Sequence, residues 1–176
     1  GDAAIYETMV RLTRGNESLL HPYIDSKGAF GSAFSSRDTP AASRYTEAKL
    51  DDICKVVFGD IEKDTVDFVD NYDGTIKEPT LLPVAFPSIL VNNNTGIAVG
   101  MASSICSFNL SEICETAIAL IKDPSHDIHT TLKAPDFPGG GQIIYNRDDI
   151  DKIYNTGRGG LRVRAKYSYD KANNCI

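Results

Sequence analysis

Ser43-Arg44-Tyr45-Thr46-Glu47 runs directly into Ala48-Lys49-Leu50-Asp51-Asp52-Ile53-Cys54. In the second part Leu50, Ile53, Cys54 and Val57 recur at the spacing of one helix face, which predicts a helix from Glu47 to about Phe58 with Gly59 as its stop. The first part sets a guanidinium beside a phenol at the head of that helix. An arginine fork holds phosphate oxygens in a bidentate way. A phenol beside it can attack phosphorus and form a phosphotyrosine ester. The plain alternative is that Tyr45 is one of eight tyrosines packed through their rings, and Arg44 a surface charge.

Upstream, Asp2 is placed to cap a helix whose apolar stripe is Ile5, Met9 and Leu12 and whose end is Gly15-Asn16. It reads either as an ordinary surface helix or as a recognition helix whose N-terminus points at DNA. Leu19 to Ile24 reads as a strand bent at Pro22, and Asp25-Ser26-Lys27-Gly28 as a turn. Gly28-Ala29-Phe30-Gly31-Ser32 offers backbone N–H groups to a phosphate, although turn geometry explains it equally well; it lacks the G-K-[ST] of a Walker loop. Arg37-Asp38-Thr39-Pro40 is a further turn leading to Tyr45.

Downstream, residues 60 to 78 carry seven acids against two lysines. The spacing of Asp64, Asp67, Asp70 and Asp73 matches neither a calcium loop nor one face of a strand, so a solvated acidic surface is the reading. Within it Val66 to Val69 predicts a strand and Asp73-Gly74-Thr75 a turn. Pro79, Pro83 and Pro87 then punctuate the chain, and a domain boundary is placed near them, dividing it into residues 1–80 and 81–176.

In the second portion Ser88 to Val91 reads as a strand, Asn92 to Gly96 as a polar turn, and Ile97-Ala98-Val99-Gly100-Met101-Ala102 as a buried segment. Ser111 is the expected cap of a helix to about Lys122, with Ile113, Ala117, Leu120 and Ile121 on its apolar side. His126 and His129 read as surface or satisfied residues, not ligands. Gln142 to Tyr145 predicts a strand, and Asp148 to Tyr154 a short helix closed by Gly157. Leu161 to Tyr167 alternates, so a strand there aims Arg162, Arg164 and Lys166 the same way. With Arg158 they make the clearest basic patch. Like charges on one strand face repel each other, and a polyanion relieves that cost. A merely solvated face is the alternative. The tail from Ser168 reads as frayed.

The 176 residues allow one moderate core or two small ones sharing an interface. A net charge of -6 argues against a general nucleic-acid binder, so any DNA contact has to come from local patches. Cys54, Cys106, Cys114 and Cys175 form no C-x-x-C pair and fit no zinc spacing with the histidines, and read as free thiols in a reducing compartment. No apolar run approaches the ~20 residues of a membrane span, and no signal peptide is visible. The chain begins at Gly1-Asp2 without a methionine, as if cut from a longer protein.

An ordered set of segments carries a resemblance. It comprises residues 1 to 8, Gly28 to Ser32, Ala42-Ser43-Arg44-Tyr45-Thr46-Glu47, Asp67 to Thr75, Gly96 to Ala102, Pro135-Asp136-Phe137-Pro138 and Thr156-Gly157-Arg158-Gly159. Together they resemble the breakage-reunion core of the A subunit of bacterial type IIA topoisomerases, DNA gyrase and topoisomerase IV. The resemblance implies an α+β fold: a winged-helix domain truncated at its N-terminus (residues 1–80), then the start of a mixed α/β tower domain (residues 81–176). It implies that Tyr45 bonds covalently to a DNA 5′ phosphate, that Arg44 offsets charge on the phosphate, and that Ile97 wedges between base pairs and bends the duplex. Ala3 is implied to lie at the DNA, and Ala3 and Glu7 to border the quinolone pocket; the serine common at the first position is absent.

The implied partners are double-stranded DNA, a second copy of the A subunit, plus two B subunits, in an A2B2 complex in the bacterial cytoplasm, associated with the nucleoid. No cofactor is implied for this segment; Mg2+ and ATP belong to the B subunit. The segment alone is expected to show little activity. At Cys106-Ser107-Phe108 the sequence departs from the family's usual proline pair and histidine, and Asn109-Leu110 is expected to preserve the fold there. A non-catalytic winged-helix module that binds or bends DNA is the alternative. The segment does not distinguish gyrase from topoisomerase IV.

Overall fold

The structure, a computed structural model, describes residues 1–16 and 21–174. Among these residues it is α+β, with four α-helices and four two-stranded antiparallel sheets. In order they are α1 (Asp2–Arg11), β1 (Ile24–Lys27), a 3-10 turn (Ser43–Tyr45), β2 (Glu47–Leu50) and α2 (Ile53–Val57). Next come β3 (Phe68–Asp70), β4 (Lys77–Pro79), a 3-10 turn (Ser88–Leu90), β5 (Asn94–Ala98) and β6 (Met101–Ile105). Last are α3 (Leu110–Lys122), a 3-10 turn (Ile128–Thr130), β7 (Gln142–Ile143), α4 (Arg147–Thr156) and β8 (Val163–Arg164). Each sheet pairs β1 with β2, β3 with β4, β5 with β6, or β7 with β8.

The main hydrophobic cluster lies in the second half. Val91, Phe108, Ile113 and Leu132 are buried together, and Phe86, Leu90, Cys106, Leu110 and Tyr154 pack around them. Phe108 therefore fills the core at the position where the sequence departs from the family pattern. Beside it, the Ser107 hydroxyl donates to the Asp136 carbonyl at 2.7 Å, and the Ser107 carbonyl accepts from the Asp136 N–H at 2.9 Å. The two bonds tie this segment to the Pro135–Pro138 loop. Asn109 is the N-cap of α3, its side chain accepting from the Ser111 and Glu112 N–H groups. Ser111, the expected cap, is already inside the helix.

In the first half the buried residues include Thr13, Asn16, Phe30, Cys54 and Val57. Asn16 Nδ2 donates to Thr13 Oγ1 at 3.0 Å and to the Phe30 carbonyl at 3.1 Å, fastening the end of α1 to the loop before Tyr45. The halves meet at buried Asn92, which accepts from the His21 N–H and donates to the His21 carbonyl, each at 3.3 Å.

Several expectations are corrected. The predicted helix from Glu47 to Phe58 divides into β2 and the short α2. Residues Glu47–Leu50 pair with β1 in place of a helix, with Glu47 opposite Lys27 and Lys49 opposite Asp25 in ion pairs at 3.1 and 3.2 Å that favour this register. The same pairing makes Asp25 to Lys27 strand, not turn. The predicted strand Leu19–Ile24 falls partly outside the described residues, as does Cys175; Cys54, Cys106 and Cys114 are free. Gly1 takes the N-cap position of α1 and Asp2 lies in its first turn. Ile5 is exposed, and Tyr6, Met9, Val10 and Leu12 form the half-buried face.

Ser88–Leu90 is a 3-10 turn, not a strand, and the predicted polar turn at Asn92–Gly96 holds the start of β5. The predicted strands at Gln142–Tyr145 and Leu161–Tyr167 shrink to two residues each. The β3–β4 hairpin through Asp73-Gly74-Thr75, the end of α3 before Pro124, and the closure of α4 at Gly157 follow the sequence reading.

Candidate active site and nucleic-acid interface

Arg44 and Tyr45 occupy the 3-10 turn that delivers the chain into β2. Tyr45 is 68% exposed, as Tyr72, Tyr145, Tyr167 and Tyr169 also are to more than half; what sets it apart is its guanidinium neighbour. The Arg44 guanidinium carbon lies 4.7 Å from the centre of the Tyr45 ring. The turn is closed by Tyr45 N–H donating to the Ala42 carbonyl at 2.9 Å and Thr46 N–H to the Ser43 carbonyl at 3.2 Å.

Two glycines let the preceding loop pack closely, one against this turn and one against the stretch leading to it. A Cβ on Gly28 would lie 3.0 Å from the Tyr45 carbonyl oxygen, at a φ of +104° that side chains rarely adopt. On Gly31 it would meet the Asp38 carbonyl oxygen at 2.7 Å, at a φ of +70°. Gly28 thus serves tight backbone contact at the Tyr45 turn, and Gly31 tight packing against the Asp38–Pro40 stretch before it.

Between α1 and the turn lies an open cleft of about 300 Å3, walled by Asp2, Ile5, Tyr6, Met9, Phe30, Ser43, Thr46 and Ala48. Ala3 and Glu7 are exposed on α1 and are not part of that wall. Tyr6, which no sequence signal singles out, reaches across: its hydroxyl donates to the Ala41 carbonyl at 2.8 Å. Only the fold brings these residues together, since they lie 35 positions apart.

Ile97, which the sequence reads as buried, is 88% exposed. It sits one residue pair from the end of the β5–β6 ribbon, opposite Ala102, with Val99-Gly100 forming the tip. Val99 and Met101 are exposed as well, so the ribbon end is an apolar, solvent-facing tip. At its root, Thr95 and Ser104 share a cleft of about 510 Å3 with Phe137, Gly157, Gly159 and Val163. The Arg158 loop and the start of the basic segment are therefore neighbours of the ribbon's root.

Arg158, Arg162, Arg164 and Lys166 are all exposed. Only Arg164 lies in β8, where it pairs with Gln142; the Arg162 carbonyl accepts from Ile144 N–H at 2.9 Å. The Arg44–Tyr45 turn leads into the β1–β2 ribbon, whereas the Ile97 tip belongs to the β5–β6 ribbon.

His129, read from the sequence as a surface or satisfied residue, is largely covered. Its side chain is 18% exposed, stacked on the Tyr154 ring at 5.1 Å between centroids. Its Nε2 lies 2.7 Å from Asp151 Oδ1, close enough for charge attraction but not aligned as a hydrogen bond, and Nδ1 is buried without a partner. Burial first, and the neighbouring Cys106, Glu112 and Tyr145 second, push the Tyr154 phenol well above the usual tyrosine range. Its hydroxyl donates to the Leu132 carbonyl at 3.1 Å.

The family described as the A subunit of DNA gyrase/topoisomerase IV matches residues 1–176. The chain is 47% identical over 174 residues to the A subunit of DNA topoisomerase 4 from Rickettsia conorii, covering 97% of this chain and 23% of that protein. It is 47% identical to the A subunit of DNA topoisomerase 4 from Neisseria gonorrhoeae, with 97% of this chain and 22% of that protein covered. It is 48% identical to the A subunit of DNA gyrase from Mycoplasma pneumoniae, with 97% and 20% covered. The chain thus spans between a fifth and a quarter of these relatives' lengths. Relatives of both names match at nearly equal identity, and the match runs through every segment just described: the chain belongs to the family of DNA gyrase/topoisomerase IV A subunits.

Proposed function

We propose that this segment is the DNA-binding and strand-cleaving core of an ATP-dependent type IIA topoisomerase. In this reading the Tyr45 oxygen attacks a backbone phosphorus and forms a P–O bond to the DNA 5′ phosphate. The bond to the 3′ oxygen breaks, the phenol proton is lost, and the leaving oxygen is protonated. The reverse attack reseals the strand, because the ester conserves the bond energy. Arg44 offsets negative charge on the non-bridging oxygens. The observation that carries the reading is an exposed phenol with a guanidinium 4.7 Å from its ring on a turn that Gly28 approaches closely. The experiment is denaturing-gel trapping of end-labelled DNA by the full-length A subunit with its B subunit, wild type against Tyr45→Phe. Equal adduct from the variant would falsify the assignment.

Residues 1–80 are assigned to the winged-helix domain and 81–176 to the tower, and Ile97 to the minor-groove wedge. Arg158, Arg162, Arg164 and Lys166 are assigned to the DNA backbone, and Ala3 and Glu7 to the border of the quinolone pocket. Among the described residues, no three His, Cys, Asp or Glu gather where they could hold a metal ion. Magnesium and ATP are assigned to the B subunit of an A2B2 assembly in the bacterial cytoplasm. No described helix is long and apolar enough to cross a membrane. The exposed Ile97 tip would equally serve a module that bends DNA without cutting it, and Tyr45→Phe separates the two readings.

A further inference from the structure

We infer that Tyr6 is a positioning residue for the cleavage step, its phenol holding the turn that bears Arg44 and Tyr45 against α1. This rests on the reading of Tyr45 as nucleophile. The Tyr6 hydroxyl donates to the Ala41 carbonyl at 2.8 Å, two residues before the turn. Its oxygen also stands 3.3 Å from Thr46 Oγ1, immediately after the turn. The single Thr46 proton has a second acceptor, the Ser43 carbonyl at 3.0 Å, so the Ala41 bond is the firmer link. One phenol thus touches both ends of a three-residue turn.

The ring that carries this hydroxyl is itself held. It packs against buried Phe30 with centroids 5.9 Å apart, and Asn16 fixes the Phe30 carbonyl. Beside Tyr6 the space between α1 and the turn is an open cleft of about 300 Å3, so the phenol bridges a gap that side-chain packing does not fill. The turn's other ties among the described residues include its own local bonds, the approach of Gly28, and the Ala41 N–H donating to the Ala29 carbonyl at 2.9 Å, which holds the stretch of chain before the turn but not its far side. Removing one oxygen leaves the Phe30 packing and the β1–β2 ribbon intact, while Tyr45 gains freedom to pivot. In-line attack is sensitive to such freedom, and a misplacement of ~1 Å costs up to ~100-fold in rate.

The test uses the full-length A subunit in complex with its B subunit in the presence of magnesium. Single-turnover cleavage of end-labelled DNA and DNA affinity are measured side by side for wild type, Tyr6→Phe, Thr46→Val, Thr46→Ser and Tyr45→Phe. Tyr6→Phe is expected to slow cleavage ~10-fold with affinity within ~2-fold of wild type. Thr46→Val slows it less, and Thr46→Ser, which keeps the hydroxyl, restores the wild-type rate. A wild-type cleavage rate in Tyr6→Phe overturns the inference, and so does an equal loss of rate and affinity. If Tyr6→Phe fails to fold, equal rates for Thr46→Val and Thr46→Ser overturn it. Adduct formation by Tyr45→Phe would instead overturn the underlying reading, whatever Tyr6 does.

Discussion

The Arg44 guanidinium lies over the Tyr45 ring, its central carbon 4.7 Å from the centroid. At an exposed site such stacking contributes ~0.5–1 kcal/mol, enough to bias both side chains without freezing them. A stacked guanidinium keeps its N–H donors around its rim, where phosphate oxygens can meet them. Arg44→Ala should lower the cleavage rate by ~2–4 kcal/mol of transition-state stabilisation, read by single-turnover trapping. Arg44→Lys should recover only part, because an ammonium offers neither the planar stack nor the fork. Full recovery by lysine would reduce Arg44 to a point charge.

Ile97 packs against nothing that its truncation would empty, being 88% exposed. Ile97→Ala should therefore change stability by no more than ~0.5 kcal/mol. Energy transfer between dyes on the two arms of bound DNA should report a smaller bend. An unchanged bend with intact affinity would remove Ile97 from the interface.

Arg162, Arg164 and Lys166 are exposed in a chain of net charge -6. Each phosphate neutralised by a basic side chain adds up to about one unit to the slope of log affinity against log salt. Replacing all three with serine in the full complex should shrink that slope by ~2–3 units at every DNA sequence tested. A folded variant with the original slope would place the DNA track elsewhere.

Ile113 is buried in the main cluster, whereas Ile121 on the same helix faces solvent. Ile113→Ala should weaken the protection of α3 amides by the equivalent of ~2–5 kcal/mol in hydrogen exchange. Ile121→Ala should leave it within ~0.5 kcal/mol. Similar losses from both would mean that α3 buries its other face in the full protein.

Tyr154 supplies a pH dependence. Burial raises its phenol above the ordinary ~10, so the folded state holds the proton more tightly than the unfolded one. Its contribution is complete below pH ~10 and is lost as pH rises toward the folded value. Alkaline unfolding of the full-length protein should show a stability slope above pH ~10 that Tyr154→Phe reduces, followed by tyrosinate absorbance. An unchanged slope would mean that Tyr154 ionises freely while folded.

The spans of helices α3 and α4 could be read from the sequence because their apolar spacing and stop signals lie within one local stretch, although the α3 cap is Asn109 in place of Ser111 and Ile121 faces solvent. Glu47 to Leu50 could not: Leu50, Ile53 and Val57 imitate a helical face, while the strand partners, Asp25 and Lys27, lie far back along the chain. One signal was available, since Asp25 and Lys27 mirror Lys49 and Glu47 at period two. The Arg44-Tyr45 pair was legible because the two residues are adjacent. Tyr6 was not, because its hydroxyl bond joins residues 35 apart. Ile97 misled for another reason: an apolar run reads as core, and nothing local says that its ribbon has solvent on both sides.

Among the described residues each named strand pairs with a single neighbouring strand, which leaves open ribbon edges, although Ile24 at the start of β1 also bridges to Thr13. Three ribbons guard those edges with charge: Asp25, Lys27, Glu47 and Lys49 in the first, Asp70, Lys77 and Glu78 in the second, Arg164 in the last. The β5–β6 ribbon, Asn94–Ala98 against Met101–Ile105, carries no charged side chain. Without charge on its edges, this ribbon is open to pairing with another copy of itself. If Ile97 wedges into DNA as proposed, a bound duplex would cover this ribbon, and self-association off DNA would begin there.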